Sequence, residues 1–405
     1  MCEETVLHTM ELGVVGKPNV GKSTFFAAAT LAPVHIANYP FTTVQANRGI
    51  AYIRKRCPHL EIGRPCNPKN APCQGGTRLI PFEMLDVAGL VPKAHEGRGL
   101  GNQFLDDLRQ ASALVHVLDA TGGTDFEGNP VPPGSHDPLD DVRFLEDELA
   151  HWIAAILLRN WEKEARRADL EATPPEKVLS GRLAGLGFTE MQIHNALREV
   201  PLDPKMARWT PDDMLRLARA LRLRGKPMIL AANKADIASP DALDRLARID
   251  GYRTVPTAAE YELALRRAAT ASLIAYEPGA SSFRILEPGK LTPNQSKALD
   301  TIATFLQKHG STGVQLCLEE AVSRLLNLIV VFPVEDEAHW TDKAGNVLPD
   351  AFLVPRGSTA MDVAFKVHTD LGNHFIRAIN ARTKMVVGRD HPVEDGDVLK
   401  IVAKT

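Results

Sequence analysis

Two kinds of apolar pattern divide the chain. Short apolar-rich runs bounded by Gly, Pro, Asn or Asp read as buried strands. They are "ELGVV", "ANRGIAYI", "RLIPFEML", "ALVHVLDAT" and "PMILAAN". Between them lie helical stretches such as the Phe/Ala-rich "KSTFFAAAT". Strand, glycine turn and helix in this order predict an α/β domain with a mostly parallel sheet and helices on both faces.

The alternation is interrupted. From Asp86 to Asn233 is 147 positions, whereas one helix, one strand and one helix with short loops need roughly 45 to 60 residues. After the glycine- and proline-rich exit loop "GGTDFEGNPVPPGSHDP", Val142, Leu145, Leu149, Ile153, Ile156, Trp161 and Ala165 recur at helical spacing, predicting one long amphipathic helix. Thr173-Pro174 and Thr210-Pro211, each with an acidic residue three positions after the Thr, read as proline-opened N-caps of two further helices. The insertion is therefore expected to be all-helical and coiled-coil-like. Beyond Glu260, "YELALRRAATASLIA" and "PNQSKALDTIATFLQKHG" are helical, and from "LNLIVVFPVE" onward β-branched runs and turns take over.

Composition changes this picture little. The 405 residues suffice for two or three cores. A net charge of -3 gives no bulk attraction for nucleic acid, so any such contact needs a local basic patch. The candidate is Arg216, Arg219, Arg222, Arg224 and Lys226; its plainer reading is a solvated, ion-paired helix face. No apolar run is long enough to span a bilayer, and "MCEETVLHTM" lacks the order of a signal peptide, which points away from membranes and to the cytoplasm.

Chemistry concentrates at strand ends. Gly16, Gly21, Lys22 and Ser23 spell G-x-x-x-x-G-K-S between a strand and a helix, with Asn19, Val20 and Thr24 in the same cradle. Backbone amides there can wrap phosphoryl oxygens, Lys22 can reach the β- and γ-phosphates, and Ser23 can ligate Mg²⁺. Asp86 and Gly89 form D-x-x-G at the end of an apolar run, suited to the Mg²⁺ shell and to sensing the γ-phosphate. Thr42 or Thr43 in "YPFTTVQAN" could complete that shell; the sequence does not choose between them. Asn233, Lys234 and Asp236 follow another buried strand, and the Asp236 carboxylate suits two N–H donors on guanine that adenine lacks. Thr257, Ala258 and Ala259 offer a turn whose backbone could meet the base oxygen.

GKPNVGKS, NYPFTT, DVAGLV and NKAD together resemble the Obg-related P-loop GTPases, and the carboxyl-terminal portion narrows the likeness to the YchF group. There "DVAFKVH" and "VEDGDVLKIV" resemble a TGS domain, a ubiquitin-like β-grasp. The resemblance implies a G domain at 9–138 and 225–325, an inserted helical domain at 139–224 and a TGS domain at 326–405. It implies binding of GTP and GDP with slow, Mg²⁺-dependent hydrolysis, because Leu90 stands where Ras-like enzymes carry a water-orienting glutamine. It places Asn19 at the position of an asparagine that helps hold K⁺. His95 reads as a loop histidine. TGS modules accompany translation proteins, which suggests a ribosome or RNA contact. Many YchF members lack N-K-x-D and prefer ATP, so an ATPase remains an alternative, as does a ribosome- or RNA-binding adaptor with a structural nucleotide.

Five cysteines, an odd number, suggest reduced thiols or a metal site rather than a disulfide framework. Cys57, His59, Cys66 and Cys73 fall in a proline- and glycine-rich loop with few apolar residues, a candidate Cys₃His set for Zn²⁺. The spacing C-x-H-x6-C-x6-C is not a standard knuckle, and buried thiols are the plainer reading.

Overall fold

A computed structural model describes residues 11–31, 47–87 and 107–404. Its largest sheet has the strands β1 (Glu11–Val15), β2 (Arg48–Arg56), β3 (Cys73–Gln74), β4 (Thr77–Asp86), β5 (Ala111–Asp119), β6 (Met228–Asn233) and β7 (Thr254–Pro256). Their order is β2-β4-β1-β5-β6-β7, with β3 pairing β4. All pairings along β4-β1-β5-β6-β7 are parallel, and β2 runs antiparallel to β4. The central strands β1 and β6 are buried along their whole length, as continuous apolar runs covered on both faces require. This is the P-loop G-domain architecture expected from the sequence.

The chain between β5 and β6 is helical. The expected single long helix is instead two, Pro138–Leu158 and Trp161–Leu170, because Asn160 takes a left-handed φ of 56° and ends the ladder. Arg182 covers that break. Its guanidinium donates to the carbonyls of Ile156 and Leu157 at 3.2 and 2.8 Å, satisfying acceptors that a helix C-terminus leaves open. Trp161, at the start of the second helix, stacks on Trp209 with ring centroids 5.4 Å apart.

The two proline-opened starts differ. Thr210 caps Pro211–Gly225 through a reciprocal capping box with Asp213. At the other, Pro174 is the N-cap and the helix runs Pro175–Leu183, so Thr173 stands one residue too early to cap it. The basic helix is not a free cationic face. Arg216 pairs with Asp213, Arg219 with Asp147, Arg222 with Glu146 and Arg224 with Glu199. Lys226 is buried and donates to the Ala111 carbonyl at 2.5 Å, and burial lowers its pKa to about 8. Asp147, Glu146 and Glu199 come from other helices, so three of the four arginine pairs fasten this helix to its neighbours, while Arg216 pairs within its own helix.

After β7 come the helices Ala259–Thr270 and Pro293–His309, joined by a small hairpin of β8 (Ile274–Ala275) and β9 (Arg284–Ile285). The last sheet contains β10 (Leu328–Val334), β11 (Phe352–Pro355), β12 (Phe375–Asn380), β13 (Val386–Val387) and β14 (Val398–Ala403) in the order β11-β10-β14-β12-β13. β10 and β14 pair in parallel, and the helix Ala360–Val367 packs on the sheet, giving a β-grasp. Gly396 turns the chain into β14 at φ 92°, as the Asp-Gly-Asp turn requires. Asp395 beside it also pairs with Lys55 of β2.

Candidate functional site

Parallel register sets the site. Val14 of β1 lies opposite Asp86 of β4, so the loop that follows β1 opens beside that carboxylate. Gly16 is pressed against β5; a β-carbon there would stand 2.6 Å from the Val117 carbonyl oxygen. Asn19 and Gly21 take positive φ of 64° and 91°, turning the loop into the helix Lys22–Thr30. That helix has no acidic residue in its first turn and no side-chain cap, so the amides at Lys22, Ser23 and Thr24 face outward as donors for an anion. Lys22 forms an ion pair with Asp86, which brings the loop's cation and the D-x-x-G carboxylate into contact.

The carboxyl end of β6 supplies the opposite wall. Asn233 is 3% exposed, donates from Nδ2 to the Val20 carbonyl at 2.9 Å and accepts from the Ala259 amide at 3.1 Å. It thereby ties the phosphate loop to the turn at Thr257–Ala259. Lys234, at a left-handed φ of 62°, reaches the buried Asp119 at 2.7 Å. Asp236 is partly exposed, and burial pushes its carboxyl above the ordinary range. The amides of Thr257 and Ala258, expected to face the base oxygen, donate instead to the carbonyls of Ala232 and Thr312, both at 2.9 Å. Through the Ala259 amide the turn also fixes Asn233.

A second tether was not legible as a motif. Lys17 is 4% exposed and bonds to the Thr124 carbonyl at 2.7 Å and to Asp141 at 2.9 Å, while His136 meets Asp141 at 2.7 Å. Asn19 donates to the Gly128 carbonyl at 2.9 Å. The phosphate loop is thus fastened to the exit loop of β5 and the first turn of the helix Pro138–Leu158. Of the carboxylates Asp119 and Asp141, only Asp119 carries a sequence signal, its place at the end of the buried strand β5; Asp141 carries none. Thr42, Thr43, Gly89, Leu90 and His95 lie outside the described residues.

Away from this site, Cys57, His59, Cys66 and Cys73 come together, with one ligand atom of each within 4.8 Å of the others. Cys57 and Cys66 have sulfurs 3.9 Å apart, and Cys73 Sγ is 3.6 Å from His59 Nδ1. Among the described residues no helix is long and apolar enough to cross a membrane.

Three family models match. Residues 11–154 match the 50S ribosome-binding GTPase model, 231–336 the "Obg-like GTPase YGR210-like, G4 motif-containing domain" and 344–403 the TGS domain. An uncharacterised GTP-binding protein of Methanocaldococcus jannaschii is 52% identical over 97% of this chain and 98% of its own. The crystal structure of a GTP-binding protein from Pyrococcus horikoshii is 43% identical, with a TM-score of 0.78, over 98% of this chain and all of its own. A protein of Escherichia coli O157:H7 named ribosome-binding ATPase YchF is 27% identical over 96% of this chain and 98% of its own. With those matches spanning G domain, insertion and β-grasp alike, the chain belongs to the YchF-type group of Obg-like GTP-binding proteins.

Proposed function

We propose that the protein binds Mg²⁺·GTP, hydrolyses it slowly and acts as a nucleotide-dependent switch on ribosomes. The observation that carries this reading is the Asn233 clamp, which holds the phosphate loop and the N-K-x-D segment as one unit. Lys22, paired with Asp86 in this structure, would hold phosphoryl oxygens of a bound nucleotide, and Asp86, Ser23 and a switch threonine, Thr42 or Thr43, would hold the Mg²⁺ that neutralises phosphate charge. Water attacks the γ-phosphorus as the bond to the β–γ bridging oxygen breaks; GDP leaves with that oxygen, the water's proton passes to phosphate or solvent, and catalysis comes from positioning and charge neutralisation. Gly89 senses the γ-phosphate. Asn19 donates its amide nitrogen to the Gly128 carbonyl, and its side-chain oxygen would be the group to hold K⁺, which would supply positive charge for the transition state. Leu90 cannot polarise water, so turnover is slow until a partner or K⁺ completes the site.

The ribosome as partner is supported by the matched G-domain model and by the name of the Escherichia coli relative. That name also favours a second reading, ATP hydrolysis. Asp236 argues for GTP, since adenine offers no pair of donors to its carboxylate. Single-turnover hydrolysis with and without K⁺ and ribosomes tests the proposal. Cleavage of GTP that accelerates with either addition is expected; no cleavage under any condition would leave an adaptor with a structural nucleotide.

A further inference from the structure

The loop between β2 and β4 lies away from the nucleotide site, yet it brings four metal-ligating side chains together. Cys57 follows directly on β2, with its amide donating to the Gly76 carbonyl at 2.8 Å. His59 opens the short helix His59–Ile62, Cys66 sits in the irregular stretch beyond, and Cys73 begins β3. Four separate pieces of backbone therefore aim a soft ligand at one point. Core thiols have no reason to do this.

The distances discriminate between the possible explanations. A disulfide would need sulfurs about 2.05 Å apart, and Cys57 and Cys66 stand at 3.9 Å. With Zn–S near 2.3 Å and Zn–N near 2.0–2.1 Å, a tetrahedral ion puts its sulfurs about 3.8 Å apart and sulfur from nitrogen about 3.6 Å. Two of the six separations stand at these values, 3.9 Å for Cys57–Cys66 and 3.6 Å for Cys73 Sγ to His59 Nδ1, and all six lie within 4.8 Å, close enough for one ion to draw the four ligands in. Three thiolates and an imidazole select a tetrahedral, borderline-soft cation, and a closed four-ligand set is a structural rather than a catalytic site.

What the ion would hold is visible on the other side of the loop. The amides of Asn67 and Lys69 donate to the carbonyls of Val347 and Pro349 at 2.9 and 2.7 Å. Asn70 exchanges two hydrogen bonds with Ala351, at 3.0 and 2.9 Å. Arg78 of β4, with no exposed surface, bridges the Ala71 and Leu348 carbonyls at 2.9 and 2.5 Å. Glu61 pairs with Arg382 at 2.8 Å. Cys57, Ala71, Phe332, Trp340 and Leu348 share one apolar cluster. The loop is the cradle of the β-grasp domain, and it has little core of its own to keep its shape.

We propose that Cys57, His59 through Nδ1, Cys66 and Cys73 bind one Zn²⁺, and that this ion fixes the loop on which the β-grasp domain is seated. Binding releases the protons of the three thiols to solvent, so the site is filled as a Zn–thiolate centre. The inference is independent of the nucleotide reading.

The test uses the full chain purified without chelator. Elemental analysis is expected to find about one zinc per chain, and Cys66→Ser and Cys73→Ser to lower that at least about ten-fold. Negligible zinc in the parent protein overturns the site. Because a variant could lose metal by failing to fold, the parent chain is also stripped and loaded with Co²⁺. Intense visible bands with thiolate-to-cobalt charge transfer are expected; the weak spectrum of an octahedral ion overturns it. Hydrogen exchange then separates the second half of the claim. Removing zinc is expected to speed exchange at Asn67, Lys69 and Ala351 roughly ten-fold while the helix Lys22–Thr30 is unchanged. Undiminished protection after stripping would refute the seating role.

Discussion

The side-chain nitrogen of Asn233 occupies the space that a β-carbon on Gly21 would need. Gly21 also sits at φ 91°, where side chains are strained. The N-K-x-D asparagine is therefore packed into the phosphate loop as well as bonded to it. Gly21→Ala is expected to weaken GTP binding roughly five-fold or more, corresponding to the 1–3 kcal/mol of such strain, in titrations with a fluorescent GTP analogue. Asn233→Ala leaves the Val20 carbonyl and the Ala259 amide without their buried partner and should cost about 1–3 kcal/mol in denaturant unfolding. Unchanged stability would mean that the clamp is not made in solution.

Lys22 and Asp86 form a partly exposed ion pair, a kind worth about 0–1 kcal/mol to the fold. In the proposed function its importance is chemical. Lys22→Ala is expected to lower single-turnover hydrolysis by roughly 10² to 10³-fold, the usual effect of deleting one charge-stabilising group, with little change in melting temperature. A large loss of stability with intact hydrolysis would make the pair structural only.

Gly16–Ser23, Asp86 and Asn233–Asp236 were legible because each follows a buried apolar run, and chain order placed those runs in one sheet. What linked them was not. Asn233 reads as a base-contacting residue until Val20 and Ala259 are seen on its two ends. The break at Asn160 was hidden because the apolar spacing continues through Trp161 and Ala165 on the far side. The arginines of Pro211–Gly225 looked like a patch because Asp147, Glu146 and Glu199 lie on other helices. Periodicity reports faces, and long-range partners are set only by packing.

Those pairings carry a prediction of their own. Arg182 closes the carbonyl end of Pro138–Leu158 and pairs with Glu164, so Arg182→Ala should destabilise the protein by about 1–3 kcal/mol. Arg219→Ala, at an exposed pair, should cost under about 1 kcal/mol and leave co-sedimentation with ribosomes unchanged. Lost co-sedimentation would restore that helix as a contact surface.

His116 lies within β5 at 2% exposure, and burial, with the Lys17 ammonium as a lesser cause, lowers its pKa to about 3. The unfolded chain takes up this proton below about pH 6.5, while the folded chain stays neutral. Stability from the neutral ring is complete above that pH and falls as pH drops, by about 1.4 kcal/mol per unit. Denaturant unfolding between pH 7 and 5 should show this slope in the parent and a slope smaller by one proton in His116→Asn. Equal slopes would contradict a buried neutral histidine.

Competition of GTP, ATP and XTP for the same site tests whether Asp236 selects guanine. Asp236 as a carboxylate matches the two donors on guanine, whereas an amide there matches the donor and acceptor of xanthine. The parent is predicted to prefer GTP over ATP, and Asp236→Asn to lose GTP and gain XTP, each by at least about ten-fold, as removal of a buried hydrogen-bonded partner implies. Preference of the parent for ATP, with no exchange of GTP for XTP in the variant, would contradict it.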